Sequence, residues 1–219
     1  MIFKLEKNRR SKYIVTAVVV LFLASTVDAA RSYLVKKRSQ VVLQEDTRKA
    51  KGNFRAPVQV IEYSDFQCPA CAAGAATLKE YFITHPQSLH VQYRYYPLLS
   101  AHPHALTIAV YAECAAQQKK FWDFHDAAFE RQNLLRETIN LAGRLAEIAG
   151  ELGLNKKTLD ACVNNPVTRQ AVLKEKEAGE AKGVNSTPTY FINGKMFVGR
   201  SGLLRGLKQY LEKGSDEEN

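Results

Sequence analysis

From Pro57 onward the apolar positions of this chain follow two rhythms in turn. The run "VQVIEYSDF" is rich in Val, Ile and Tyr and bounded by turn residues, the signature of a strand. Behind it, "CPAC" and "AAGAATLKEYFITH" read as one helix, with Pro69 tolerated in the first turn, where a missing N–H has no intrahelical partner to lose. "LHVQYRYYPL" is a second strand. Strand, helix and strand of these lengths predict a parallel pair joined by a crossover.

Between about 103 and 182 the spacing becomes helical throughout. "PHALTIAVYAECAAQQ", "KFWDFHDAAFERQ", "TINLAGRLAEIAGELGL", "NKKTLDACV" and "PVTRQAVLKEKEAGEAKG" each carry apolar residues at helical intervals, separated by Gly, Asn or Pro. Strand signals resume in "TPTYFINGKMFVG", where Asn193-Gly194 between two apolar runs is a hairpin cue. "SGLLRGLKQYLEKG" closes the pattern as a helix with Ser201 as its expected N-cap, and the acidic "SDEEN" reads as a frayed end. The expected order is β-α-β, a helical insertion, then β-β-α, an α/β class without internal repeats. At 219 residues and 46% hydrophobic composition, one domain with a tail is the natural size.

The formal charge of +9 changes this picture only through its location. Residues 1–55 hold 13 Lys/Arg against 4 Asp/Glu, whereas residues 56–219 hold 18 of each. A neutral domain lacks the basic footprint that supplies most nucleic-acid affinity, so nucleic acid is not expected as a partner. The tail itself pairs a basic stretch, "MIFKLEKNRRSKY", with the apolar "IVTAVVVLFLASTVDAA", as an export signal does. Residues 1–30 are expected to be retained as a membrane anchor, with Lys7, Arg9, Arg10 and Lys12 on the inner side; cleavage near Val27-Asp28-Ala29 is the alternative. Either fate places the remainder outside the cytoplasm, where disulfides persist. Residues 31–55 read as a polar tether, with Lys36, Lys37 and Arg38 able to touch anionic lipid, and residues 56–219 as the domain.

Chemistry concentrates at Cys68 and Cys71. A cysteine at a helix start faces free backbone N–H groups and the positive end of the helix dipole, which favours thiolate over thiol. Such a thiolate attacks disulfides, and Cys71, one turn later on the same face, can resolve the mixed disulfide that results. A zinc site would need four ligands, but Cys114 and Cys162 lie apart in the helical block without a second Cys-x-x-Cys. A purely structural bridge across one helical turn closes too short a loop to restrain the unfolded chain. Redox exchange is therefore the expected role, and no metal or cofactor is expected.

Two further features bear on it. Glu62 lies six residues before Cys68 in an otherwise apolar strand segment. Buried beneath the cysteines, its carboxyl would have a raised pKa and could take the proton of Cys71; on an exposed strand face it would do nothing. In "NSTPTYFINGK", Pro188 cannot donate to a ladder, and a cis Thr187-Pro188 bond would turn the backbone of Thr187 towards an incoming peptide, although the chain alone does not establish that isomer.

With Cys68-Pro69-Ala70-Cys71 after a strand, Glu62 ahead of it, Thr187-Pro188 before the last hairpin and a helical insertion between, residues 56 to about 214 resemble the DsbA-like thioredoxin-fold family of extracytoplasmic thiol-disulfide oxidoreductases. "AECAAQQKKFWDFHD" and "GVNSTPTYFINGK" are similar to segments of its membrane-tethered or secreted bacterial members. The resemblance implies a thioredoxin fold, Cys68 as nucleophile, Cys71 as resolving thiol, Pro188 as a cis-proline and an apolar surface for unfolded substrates. Strongly oxidising relatives often carry His where this chain has Ala70, which predicts a less oxidising pair here. Four cysteines in an oxidising compartment favour a second, structural bridge between Cys114 and Cys162, with two buried free thiols as the alternative.

The expected activity is oxidation of thiols in unfolded or reduced client proteins, with electrons passed on to a membrane quinone-linked thiol oxidase. A short tether without a dimerisation domain predicts a monomer. Reductase or isomerase activity of the same fold stays open, as does a non-catalytic module that holds clients or metal. His102 and His104 are expected in capping or surface contacts, His125 and Trp122 in the packing of the insertion, and His85 and His90 at the surface.

Overall fold

The computed structural model describes residues 46–211. The expected anchor or signal, most of the tether and the "SDEEN" end lie outside the described residues. Among the described residues, no helix is long and apolar enough to cross a membrane.

A five-stranded sheet carries the fold. Its strands are β1 (Ala50–Gly52), β2 (Val58–Ser64), β3 (Leu89–Tyr95), β4 (Thr189–Ile192) and β5 (Lys195–Val198), arranged in the order β1-β3-β2-β4-β5. β2 and β3 run parallel, joined through helix α1 (Pro69–Thr84), and the other three pairings are antiparallel. The interior strand β3, between β1 and β2, is buried at every position. Leu89, Val91, Tyr93 and Tyr95 share one face by the alternation of a strand, and His90, Gln92 and Arg94 share the other, which is covered despite being polar. Asn193 (φ 47°) and Gly194 (φ 82°) turn β4 into β5 with the left-handed backbone that an Asn-Gly hairpin requires.

The insertion comprises α2 (Ala105–Gln117), α3 (Phe121–Glu130), α4 (Gln132–Glu137), α5 (Leu141–Glu151), α6 (Lys156–Val163) and α7 (Pro166–Glu180). Its apolar faces close on Phe66, Tyr93 and Tyr95 in one core that includes both Cys68 and Cys71. A second core joins β2, β4 and β5 to α1 and the last helix, α8 (Gly199–Leu211), through Leu78, Leu203 and Leu207. Cys114 of α2 and Cys162 of α6 are bonded as a disulfide, with Cα atoms 5.7 Å apart.

Three expectations need correction. Asp46–Gly52 belongs to the domain rather than to a tether: β1 pairs with β3, and Lys49 is buried with its ammonium 2.7 Å from Glu175 and 3.4 Å from Glu113. A buried ammonium needs such carboxylates to offset its lost hydration. His90 is buried rather than superficial, its Nδ1 2.9 Å from Gln59 Oε1. Ser201 lies inside α8, which begins at Gly199, so it is no N-cap.

Candidate active site

Cys68 occupies the N-cap position of α1 with extended backbone (φ −78°, ψ 119°), and Pro69 follows as the first helical residue. The carbonyl of Cys68 accepts from the N–H groups of Cys71 and Ala72 at 3.0 and 3.2 Å. Further along α1, a Cβ at Gly74 would collide with the Tyr190 hydroxyl, so only glycine lets the helix sit this close to β4.

The loop ahead of the helix is held from several directions. Asp65 accepts from the N–H of Gln67 (2.7 Å) and of Leu98 (2.7 Å), and its Oδ2 lies 2.9 Å from His102 Nδ1. Gln67 Oε1 accepts from the His104 N–H at 2.6 Å. From α4, the Gln132 amide donates to the carbonyls of both Phe66 and Cys68, each at 2.9 Å. His102 and the backbone of His104 thus brace the cysteine loop, and among the described residues no group of three or more His, Cys, Asp or Glu side chains could hold a metal. Asp65, Gln67 and Gln132 were not singled out in the sequence. The turn preceding the cysteines was a signal for the first two, whereas Gln132 comes from a distant helix and left none.

The two sulfurs are free thiols in unequal surroundings. The Thr187–Pro188 bond is cis, and Cys68 Sγ lies 3.4 Å from the Thr187 carbonyl oxygen. Hydrogen bonding from the Cys71 thiol lowers the Cys68 pKa to about 5; burial opposes this, while Thr187 and the backbone N–H groups of Cys71 and Ala70 add to it. Cys71 is fully buried, and desolvation together with the neighbouring Cys68 pushes its thiol well above the ordinary range, despite the Asp65 N–H at 3.4 Å from its sulfur. The pair thus divides into an outer thiolate and an inner thiol that keeps its proton.

Glu62 is fully buried, and neither of its oxygens has a hydrogen-bond partner. Burial raises its carboxyl to about 7, with the Ser64 hydroxyl pulling weakly the other way. The Glu62 and Cys71 charges both raise the pKa of Tyr93 and Tyr190, after the burial of those phenols, so carboxyl and inner thiol each lie near the same two buried rings. Because folding favours the protonated carboxyl, its contribution to stability is complete below about pH 4.5 and lost as pH rises through about 7. The difference amounts to roughly 3 kcal/mol. Chemical denaturation of wild type and Glu62→Gln from pH 4 to 8 should show the wild type losing about that much relative to the variant. Parallel stability curves would refute a raised Glu62 pKa.

A strand, a cysteine-capped helix, a parallel strand, and a cis-proline facing the cysteine before an antiparallel hairpin together define a thioredoxin-like protein with an inserted helical domain. A family model described as Thioredoxin matches residues 44–213. The chain belongs to this Thioredoxin family, whose model covers more than half of it. Among solved structures, alpha-DsbA1 of Wolbachia pipientis superimposes with a TM-score of 0.66 at 20% identity, covering 83% of this chain and 100% of that one. BdbD of Bacillus subtilis gives 0.64 at 19% identity, covering 77% and 96%. A sequence relative, the Na(+)/H(+) antiporter NhaA 3 of Salinispora tropica, is 31% identical over 161 residues, or 73% of this chain and 24% of the antiporter. The chain spans about a quarter of the length of the curated relatives it matches.

Proposed function

We propose that this protein is an extracytoplasmic thiol-disulfide oxidoreductase that oxidises client thiols through Cys68 and Cys71. The observation that carries this reading is the split between a Cys68 thiol lowered to about 5 and a Cys71 thiol raised by burial. Stabilising the Cys68 thiolate stabilises the reduced pair, which makes the corresponding disulfide a better oxidant. A value near 5 falls between about 7 for reductive thioredoxin and about 3.5 for the strongly oxidising type member of the family, in keeping with the missing donor at Ala70.

In this reading the client thiolate attacks Cys68 and its backbone runs beside Thr187 and the cis Pro188. Leu99, Met196 and Val198 are exposed apolar side chains, and Val198 pairs with Thr189, next to Pro188, so β5 offers an apolar border to the site. Unfolded or reduced proteins are the clients, a membrane quinone-linked thiol oxidase is the electron acceptor, and the N-terminal segment tethers a monomer to the membrane. The Cys114–Cys162 disulfide suits an oxidising compartment. Reductase or isomerase activity is the second reading, favoured only by the absence of an imidazole at Ala70.

The reduction potential measured in glutathione buffers tests the direction of electron flow. A value near −180 mV or higher is expected, at or above the potentials of oxidative catalysts, whereas about −270 mV would make the protein a reductase. The same titration against pH should fall by about 59 mV per unit below pH 5, where two protons accompany two electrons, and by about 30 mV above it, where Cys68 stays ionised. A single slope through pH 5 would remove the lowered Cys68 pKa from the argument.

A further inference from the structure

His125 is buried in α3 with only half of its ring engaged. Nδ1 lies 2.8 Å from Asp126 Oδ1, while Nε2 has no hydrogen-bond partner. Aromatic rings, including those of Phe66, Tyr93 and Phe129, surround it. Glu62, equally without partners, borders the same narrow void of about 10 Å³, together with Lys51, Lys79 and Asp126. The void has room for about one water molecule. At Ala75, Lys79 and Asp126 it adjoins a wider surface groove of about 230 Å³ between α1 and α3. Ala72, Ala75 and Ala76 leave that groove open, and Lys51 is fixed over the Trp122 and Phe82 rings, 5.3 Å from each centroid.

From this continuity we infer that His125 and Asp126 form the proton exit of Glu62, a route by which the buried carboxyl exchanges protons with solvent through the α1–α3 groove. The groove opens beside the second and third turns of α1, whereas clients would meet Cys68 at the helix start. The inference rests on the proposed role of Glu62 as proton partner of Cys71. When a client thiolate attacks Cys68 Sγ, a sulfur–sulfur bond forms between client and Cys68, the Cys68–Cys71 bond breaks and its electron pair goes to Cys71. Glu62 gives its proton to the Cys71 thiolate, and a solvent proton, carried by His125 and a water, restores the carboxyl. Reoxidation of the pair runs the same transfers backwards.

The groups facing His125 are Lys51 from β1, Glu62 from β2, Tyr93 from β3, Lys79 from α1 and Asp126 on its own helix. Burial lowers its pKa; Lys51 and Lys79 add to this and Asp126 opposes it. The ring is therefore neutral near pH 7, able to pass a proton on without retaining it.

Trp122, the only tryptophan of the chain, lines the void and reports on it. Reduction of the oxidised protein by dithiothreitol would be followed through its fluorescence in stopped flow from pH 5 to 9, at low and rising buffer concentrations. His125→Ala and Ala75→Leu, which plugs the neck, are each expected to slow the step that protonates Cys71 by roughly tenfold in dilute buffer. Added imidazole should restore the rate of His125→Ala in proportion to its concentration and leave that of Ala75→Leu unchanged. The Cys68 thiolate absorbance should titrate in both as in wild type. Wild-type rates in both variants, with Glu62→Gln slow, would overturn the exit while leaving the role of Glu62 intact. Wild-type rates in Glu62→Gln would instead remove the reading beneath it. A shifted Cys68 titration without imidazole rescue would make His125 a packing residue and overturn the proposal. Should His125→Ala not fold, the Ala75→Leu rate decides.

Discussion

Replacing Cys71 by serine is expected to turn the protein from a catalyst into a trap. Without Cys71 the Cys68–Cys71 disulfide that clients reduce cannot form, and a lone Cys68 thiolate that attacks a client disulfide has no inner thiol to displace it again, so turnover should fall by at least about 1000-fold while Cys68–client adducts accumulate. The serine hydroxyl can replace the Cys71 thiol as hydrogen-bond donor to Cys68, so the outer sulfur should remain ionised at neutral pH. Cys71→Ala lacks that donor, the largest stabilising contact of the thiolate, and its Cys68 should titrate higher. Non-reducing gels of cells expressing Cys71→Ser, with Cys68→Ser beside it, provide the measurement. Adducts in the first that vanish in the second would support exchange chemistry; their absence from both would count against it and favour a module that binds without turnover.

The parts of this site legible in the sequence were those that local chemistry specifies. A Cys-x-x-Cys at a strand-to-helix junction needs only the strand pattern and Pro69 to be placed, and the lone carboxyl in "VIEY" stood out against an apolar background. The structure buries Glu62 completely, excluding the exposed strand face, and turns the Thr187–Pro188 bond cis, which a sequence cannot establish. What escaped depends on contacts made across the fold. β1 is three residues long, too short for a period to show, and its neighbours in the chain are polar. It becomes a strand because β3 offers it a ladder and because Lys49 meets Glu113 and Glu175 from two different helices. The same short strand brings Lys51 to the void beside Glu62, so a segment that read as tether contributes charge near the inner site. Likewise, Gln132 acts on the backbone of the cysteine loop from 64 residues away, a separation at which no local pattern reports.

Removing the second disulfide should have the largest effect on stability. Cys114 and Cys162 are separated by 48 residues, and in the chain-entropy account a loop of that length restrains the unfolded chain by about 4 kcal/mol. Both cysteines lie in the core shared by the insertion and the active-site loop, so replacement by alanine also loses the packing of two buried sulfurs. Against a total stability of about 5–15 kcal/mol for an ordinary domain, the double alanine variant would be marginal. Urea unfolding, with Cys68 alkylated so that only one disulfide differs between the proteins, should give a midpoint shift corresponding to about 4 kcal/mol, and a steeper transition because the unlinked unfolded chain exposes more surface. A loss below about 1 kcal/mol would mean that the unfolded state stays compact without the bridge. The Cys68 pKa should be unmoved in that variant, since the groups that set it are Cys71, Thr187 and the first backbone N–H groups of α1 rather than the bridge. Separating the two readouts would show that the bridge holds together the insertion that covers the site, while the first turn of α1 and the Thr187–Pro188 segment set the chemistry.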